Sequence, residues 1–205
     1  MQTWLPIILA FVCVLTFIFS ISCILLCRAV IRKTAHLKKS EEQFKLAMEA
    51  SRDGLWDWDI KTGQTYFSPS YAAILGYESN TLPNHVNSWK ELIHPDDMEK
   101  ALNINKDCIE NRLENFQVEF RMKHKRGHWK WILGRGMAAK RDQTGKATRL
   151  IGTHTDITHH KDLENSLRLG ETKMRSIFKA APIGIGVVSQ RVFTEVNDLF
   201  CKMVG

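Results

Sequence analysis

Apolar and polar residues change period several times along this chain, and each change marks an element. From Trp4 to Cys27 an apolar run carries no charged residue. Roughly 20 such residues in a helix span a hydrocarbon core, so the run predicts a transmembrane helix over residues 1–27. No Lys or Arg precedes the run, and Ser20-Ile21-Ser22-Cys23 is a poor processing site, which argues against a signal peptide. The helix then continues over residues 28–50 as a juxtamembrane signalling helix. Val30, Leu37 and Phe44 recur every seven residues there, with Met48 four further on.

Beyond Gly54 the period drops to two. Trp56, Trp58 and Ile60 share one strand face, and Asp57 and Asp59 share the other. Lys61-Thr62-Gly63 is a turn, and Gln64 to Ser68 returns as a second strand. Short helical pieces are predicted at Pro69–Leu75 and Ser88–Ile93. His94-Pro95-Asp96-Asp97 opens a longer helix, with proline at its first position and acids in its first turn. Three strands follow. Phe116, Val118, Phe120 and Met122 alternate with polar residues, then Trp129, Trp131 and Leu133 share a face, then Arg149 to Ile157 forms the last strand. Two strands, several helices and three strands predict an α+β fold with an antiparallel sheet.

A further helix starts near Thr158. Leu163, Leu167, Gly170, Met174 and Ile177 form a two-heptad seam, interrupted by Gly170, that suits a parallel dimeric coiled coil. An internal repeat sets the domain organisation. Phe67 to Gly76 aligns with Val196 to Gly205, and Gly54-Leu55 with Gly184-Ile185. The expected order is a transmembrane helix (1–27), a signalling helix (28–50), a complete domain (51–158), a linker helix (159–178) and the start of a second, incomplete domain (179–205). So short a second segment cannot bury a core of its own.

Charge refines this picture. The net charge is +7, and Arg28, Arg32, Lys33, Lys38 and Lys39 supply five of it. The rest of the chain is nearly neutral, so the basic balance does not point to nucleic acid as a partner. By the positive-inside rule the patch lies in the cytoplasm. It predicts a single-pass inner-membrane protein, N-terminus outside, whose five basic residues meet anionic lipid heads at about 1 kcal/mol each. The cysteines show no metal-ligand spacing, and no disulfide is expected.

Candidate chemistry is sparse. His94, Asp96 and Asp97 are better explained as a helix cap than as metal ligands. His154, His159 and His160 lack a further ligand at useful spacing and read as surface or strand histidines. Trp56, Trp58, Trp129 and Trp131 either line a pocket that stacks on a ring or belong to the core. Residues His124 to Trp131 mix basic and aromatic side chains, but they read as a hairpin with a charged turn. No catalytic constellation appears, neither a phosphate-binding glycine loop nor a nucleophile with its base.

The ordered set Asp53-Gly54-Leu55-Trp56-Asp57-Trp58-Asp59, Phe67-Ser68-Pro69, Leu75-Gly76-Tyr77, Trp89, His94-Pro95-Asp96-Asp97, Glu119-Phe120-Arg121-Met122, Trp129-Lys130-Trp131 and Gly152 to Thr158 resembles the PAS family with its C-terminal PAC part. Ala181-Pro182-Ile183-Gly184-Ile185 resembles the entry to a second such domain. The resemblance implies a five-stranded antiparallel sheet cupping small helices around a pocket, with Trp56, Trp58, Phe120 and Trp131 as pocket candidates. It implies a sensory or dimerising role, and a homodimer is expected. Asp156 and Thr158 would couple the sheet to the exit helix; both side chains can also serve simply as caps for its first N–H groups. Residues 95–112 hold no histidine, which disfavours haem, and the cysteine motif of flavin adducts is missing. Non-covalent flavin or another small metabolite is left as the ligand. The expected function is the input region of a membrane sensor whose output is a histidine kinase or a cyclic-di-GMP enzyme. The alternative is a stand-alone membrane-tethered binding or dimerisation module.

Overall fold

A computed structural model describes residues 5–204, with side chains from Leu25 onward. The first unit, residues 1–52, is dominated by one long helix, α1 (Leu5–Ser51). The expected single-pass inner-membrane localisation is corrected here. Among the described residues no helix is long and apolar enough to cross a membrane. From Arg28 onward α1 carries Arg32, Lys33, Lys38 and Lys39, all exposed, and each such charge costs roughly 2.5–3.5 kcal/mol at a bilayer centre. The side chains of the apolar run that precede Leu25 lie outside the described residues.

The second unit begins at Asp53. Five strands make one antiparallel sheet: β1 (Gly54–Asp59), β2 (Thr65–Phe67), β3 (Asn115–Lys123), β4 (Trp129–Arg141) and β5 (Ala147–Asp156), in the spatial order β2-β1-β5-β4-β3. Between β2 and β3 run α2 (Pro69–Ile74), α3 (Val86–Leu92) and α4 (Pro95–Ile109). The expected sheet of five antiparallel strands with small helices is therefore present. The turns close as the glycines require: Gly127 and Gly145 take φ of 91° and 85°, in the left-handed region open to glycine.

The central strands carry glycine where rings must fit. Gly136 and Gly152 lie opposite each other in the β4–β5 ladder. A Cβ at Gly152 would sit 2.0 Å from the Arg135 carbonyl and 2.3 Å from the Trp56 ring. A Cβ at Gly136 would meet the Phe116 and Trp56 rings at 2.5 and 2.8 Å. Trp56 and Phe116 then stack with centroids 6.4 Å apart. Around them Tyr71, Leu75, Phe120, Met122, Ile132 and Leu150 are almost wholly buried.

The helix starts follow their caps. Ser68 Oγ accepts from the Tyr71 N–H at α2, and His94 Nδ1 accepts from the Asp96 N–H at α4. Asp97 does more than favour the helix dipole. Its carboxylate takes a two-pronged bond from Arg121 on β3 at 2.8 and 2.9 Å, and accepts the Arg121 backbone N–H as well. That guanidinium holds the Asp97 carboxyl below the usual range.

After β5, α5 (Thr158–Ala180) leaves the sheet, followed by the hairpin β6 (Gly186–Ser189) and β7 (Val192–Val196) and by α6 (Asp198–Val204). No residue of α5 is buried, and its seam residues Leu163, Leu167, Met174 and Ile177 are all more than half exposed. The last segment repeats a detail of the first domain. Ser68 Oγ accepts from the N–H groups of Leu55 and Tyr71. Asn197 Oδ1 accepts from those of Ile185 and Phe200, the aligned positions of the repeat.

Candidate functional site

Between the sheet and helices α2, α3 and α4 lies a cavity of about 30 Å³, to which every strand of the sheet contributes. Strand parity decides what enters it. Alternate residues share a face, so β1 presents Trp56 and Trp58, and β3 presents Phe116, Val118 and Phe120. Gly134 on β4 and His154 on β5 face each other in the ladder and complete this wall. A Cβ at Gly134 would come within 2.8 Å of the Phe120 ring, so glycine makes the room that the ring fills.

The polar groups of this wall are unusual. The indole N–H groups of Trp56, Trp58 and Trp89 and the hydroxyl of Tyr71 are buried with no hydrogen-bond partner, and all four side chains line the cavity. Each such orphan costs roughly 1–3 kcal/mol. Indole is a donor only. Burial pushes the Tyr71 phenol well above its usual range, so it also keeps its proton. Asn105 of α4 lines the same wall and uses its amide to donate to the Ala101 carbonyl at 2.8 Å.

His154 is 6% exposed. Its ring stacks on Tyr71 at 5.0 Å and meets Phe120 edge-on at 5.4 Å. Burial pushes its pKa down to about 3, so the imidazole is neutral at ordinary pH.

Of the four residues expected to line a pocket, Trp56, Trp58 and Phe120 meet at the cavity, and Trp131 stands apart from it. Trp131 pairs with Arg121 on the other face of the sheet, because β4 turns Ile132 and Gly134 inward. There the Arg121 guanidinium and the Lys161 ammonium lie 5.4 and 5.8 Å from its ring centroid. Lys161, on α5, also pairs with Glu119 of β3 at 2.8 Å.

Asp156 and Thr158 do come together, at the junction of β5 and α5. Asp156 Oδ1 accepts the Thr158 N–H at 2.9 Å from just outside the N-cap residue Ile157, and also the Thr158 hydroxyl at 2.5 Å. Its other oxygen pairs with Lys130 at 2.6 Å. Burial raises the Asp156 pKa, but the bonds from Lys130 and Thr158 outweigh it and leave the carboxyl below its usual range. Thr158 Oγ1 does not cap the helix. It accepts the Trp131 N–H at 3.0 Å, while the Trp131 carbonyl accepts from Ile157 at 2.9 Å. The junction is thus stitched to β4 from both sides of one residue.

Sequence reasoning passed over Tyr71 and Asn105 and read His154 as a surface or strand histidine. The available signal was parity: His154 shares its face with Leu150 and Gly152, both turned toward the core. Among the described residues no group of three or more His, Cys, Asp or Glu is placed to hold a metal. Cofactor-sized pockets run to roughly 300–1,000 Å³, well above the volume of about 30 Å³ that this cavity has. Arg28, Arg32, Lys33, Lys38 and Lys39 are exposed along α1.

Comparison with known proteins matches residues 64–154 to the family described as PAS fold. Sensor protein FixL of Bradyrhizobium diazoefficiens is 31% identical over 147 residues, covering 72% of this chain and 28% of FixL. The probable diguanylate cyclase DgcE of Escherichia coli is 30% identical over 132 residues, 62% of this chain and 11% of DgcE. The chain spans less than a third of the length of either curated relative. A crystal structure of a sensory box histidine kinase/response regulator from Burkholderia thailandensis superposes with a TM-score of 0.58 at 36% identity, over 65% of this chain and 98% of that one.

Proposed function

The chain belongs to the PAS domain family, and from that premise we propose that residues 51–158 are a sensory input domain. It detects a small ligand in the cavity and passes the signal through Asp156, Ile157 and Thr158 to α5. The homologues, sensor histidine kinases and diguanylate cyclases, support a signal-sensing role, and in this proposal the output is of one of those two kinds. The observation that carries the relay is the junction itself. The first residue of α5 is bonded through Thr158 Oγ1 to the backbone of β4 at Trp131, three residues from Gly134 on the cavity wall. A shift of β4 on ligand entry therefore moves the start of the helix. α5 exposes its heptad seam, so a second copy of the chain, packed in parallel, would carry that movement onward as a change of helix pairing.

The test is hydrogen exchange on the full chain carrying both Asp156→Ala and Thr158→Val. The first turns of α5 exchange faster, and the amides of β1 and β3 keep their protection. Unchanged exchange in α5 would remove the junction as the coupling point.

A further inference from the structure

We propose that the cavity takes a small, neutral, planar molecule that presents hydrogen-bond acceptors and no net charge, a single ring bearing a carbonyl or a ring nitrogen. The inference rests on the reading of the cavity as a ligand site and adds the chemistry of what enters. Every buried side-chain nitrogen or oxygen without a partner among the described residues belongs to one of four side chains, Trp56, Trp58, Tyr71 and Trp89, and all four line this cavity. The three indoles can only donate, and the protonated Tyr71 hydroxyl has a proton to give. A ligand that satisfies them must bring acceptors. No Lys, Arg, Asp or Glu is among the lining residues, and His154 is neutral. A charged ligand would lie there without a counter-charge, at a desolvation cost that excludes it. The remaining wall is aromatic and branched aliphatic, shaped by Phe116, Phe120 and Val118, which suits a flat ring.

Size sets the route. A cavity of about 30 Å³ holds one or two water molecules. A ring enters only by displacing part of the wall. Trp58 is only partly buried, unlike Trp56, and is the side chain best placed to give way. Entry of the ligand thus pairs the orphan donors and moves the sheet in the same step.

The full chain labelled with 5-fluorotryptophan tests this, its six tryptophans being resolved by single Trp→Phe substitutions. The probes are 1-methyl-2-pyridone, neutral, flat and acceptor-only, and toluene, of similar shape without acceptors. The pyridone shifts the fluorine lines of Trp56, Trp58 and Trp89, and it binds at least about tenfold tighter than toluene. Tyr71→Phe narrows that ratio while leaving toluene binding unchanged, which also reports that the variant is folded. Equal binding of the two probes would overturn the acceptor class and leave a ligand-sensing cavity standing. Toluene binding without pyridone binding would do the same. Failure of both probes to move any cavity line would overturn the proposal itself, and hydrogen exchange at the junction then decides separately whether the relay survives.

Discussion

The hydroxyl of Thr158 accepts the backbone N–H of Trp131 at 3.0 Å, so the exit helix is held by its first residue to a central strand. Both partners are half-buried. Replacing the hydroxyl by a methyl leaves the Trp131 N–H without its acceptor. Thr158→Val is expected to lower unfolding free energy by about 1–2 kcal/mol, and Thr158→Ser to restore most of it. Urea midpoints of the three chains give the comparison, with equal slopes as the check that only stability changed.

His154 makes stability depend on acid. Its imidazole titrates near 3 in the fold because it is buried among rings, and near 6.5 in the unfolded chain. Above pH 6.5 both states are neutral and the full stability is present. Between 6.5 and 3 the unfolded state takes up a proton that the folded state refuses, so stability falls as pH falls. The loss from this one group is on the order of 5 kcal/mol at most by pH 3, and roughly 2–3 kcal/mol at pH 4.5. His154→Leu should remove that share of the difference between pH 7 and pH 4.5 midpoints. Equal acid sensitivity in the variant would mean that other groups carry it.

Gly152 lies where β5 passes under Trp56. A methyl there meets the Arg135 carbonyl and the indole at once, and the carbonyl belongs to a ladder that cannot move freely. Gly152→Ala is expected to cost about 3 kcal/mol or more, at the high end of overpacking. Gly170→Ala, by contrast, meets nothing within 4 Å in α5 and should stabilise by up to about 1 kcal/mol through helix propensity. Thermal melts of the two variants should move in opposite directions.

The α5 seam offers a test of self-association. Leu167 is 66% exposed, so a charge there costs little within one chain. Leu167→Glu should leave the thermal transition of the sheet domain unchanged and turn a dimer into a monomer by light scattering. A wild-type chain that is already monomeric would contradict the proposed parallel pairing.

The amino-acid sequence by itself determined the five strands of the main sheet, their succession along the chain and the alternation of their side chains. Alternation at Trp56 and Trp58 and at Phe116 to Met122 is a local property, because successive side chains of any strand point opposite ways. Caps at Ser68 and His94 and turns at Gly127 and Gly145 are equally local, and the motifs from Asp53 to Thr158 were enough to suggest the family. The direction of each face was another matter. On β4 the face holding Trp129 and Trp131 is the more apolar to read, yet the sheet buries Ile132, Gly134 and Gly136. Only the facing rings of Trp56, Phe116 and Phe120 explain that choice, since they fill the space that the glycines leave. The same packing buried His154 and orphaned four donors around one cavity, and it tied Thr158 to Trp131 rather than to its own helix. Such pairings join residues far apart in sequence, and they exist only once the sheet has closed. The long apolar run near the N-terminus predicted a membrane span that no described helix supplies; the exposed charge of α1 begins at Arg28, where that run ends.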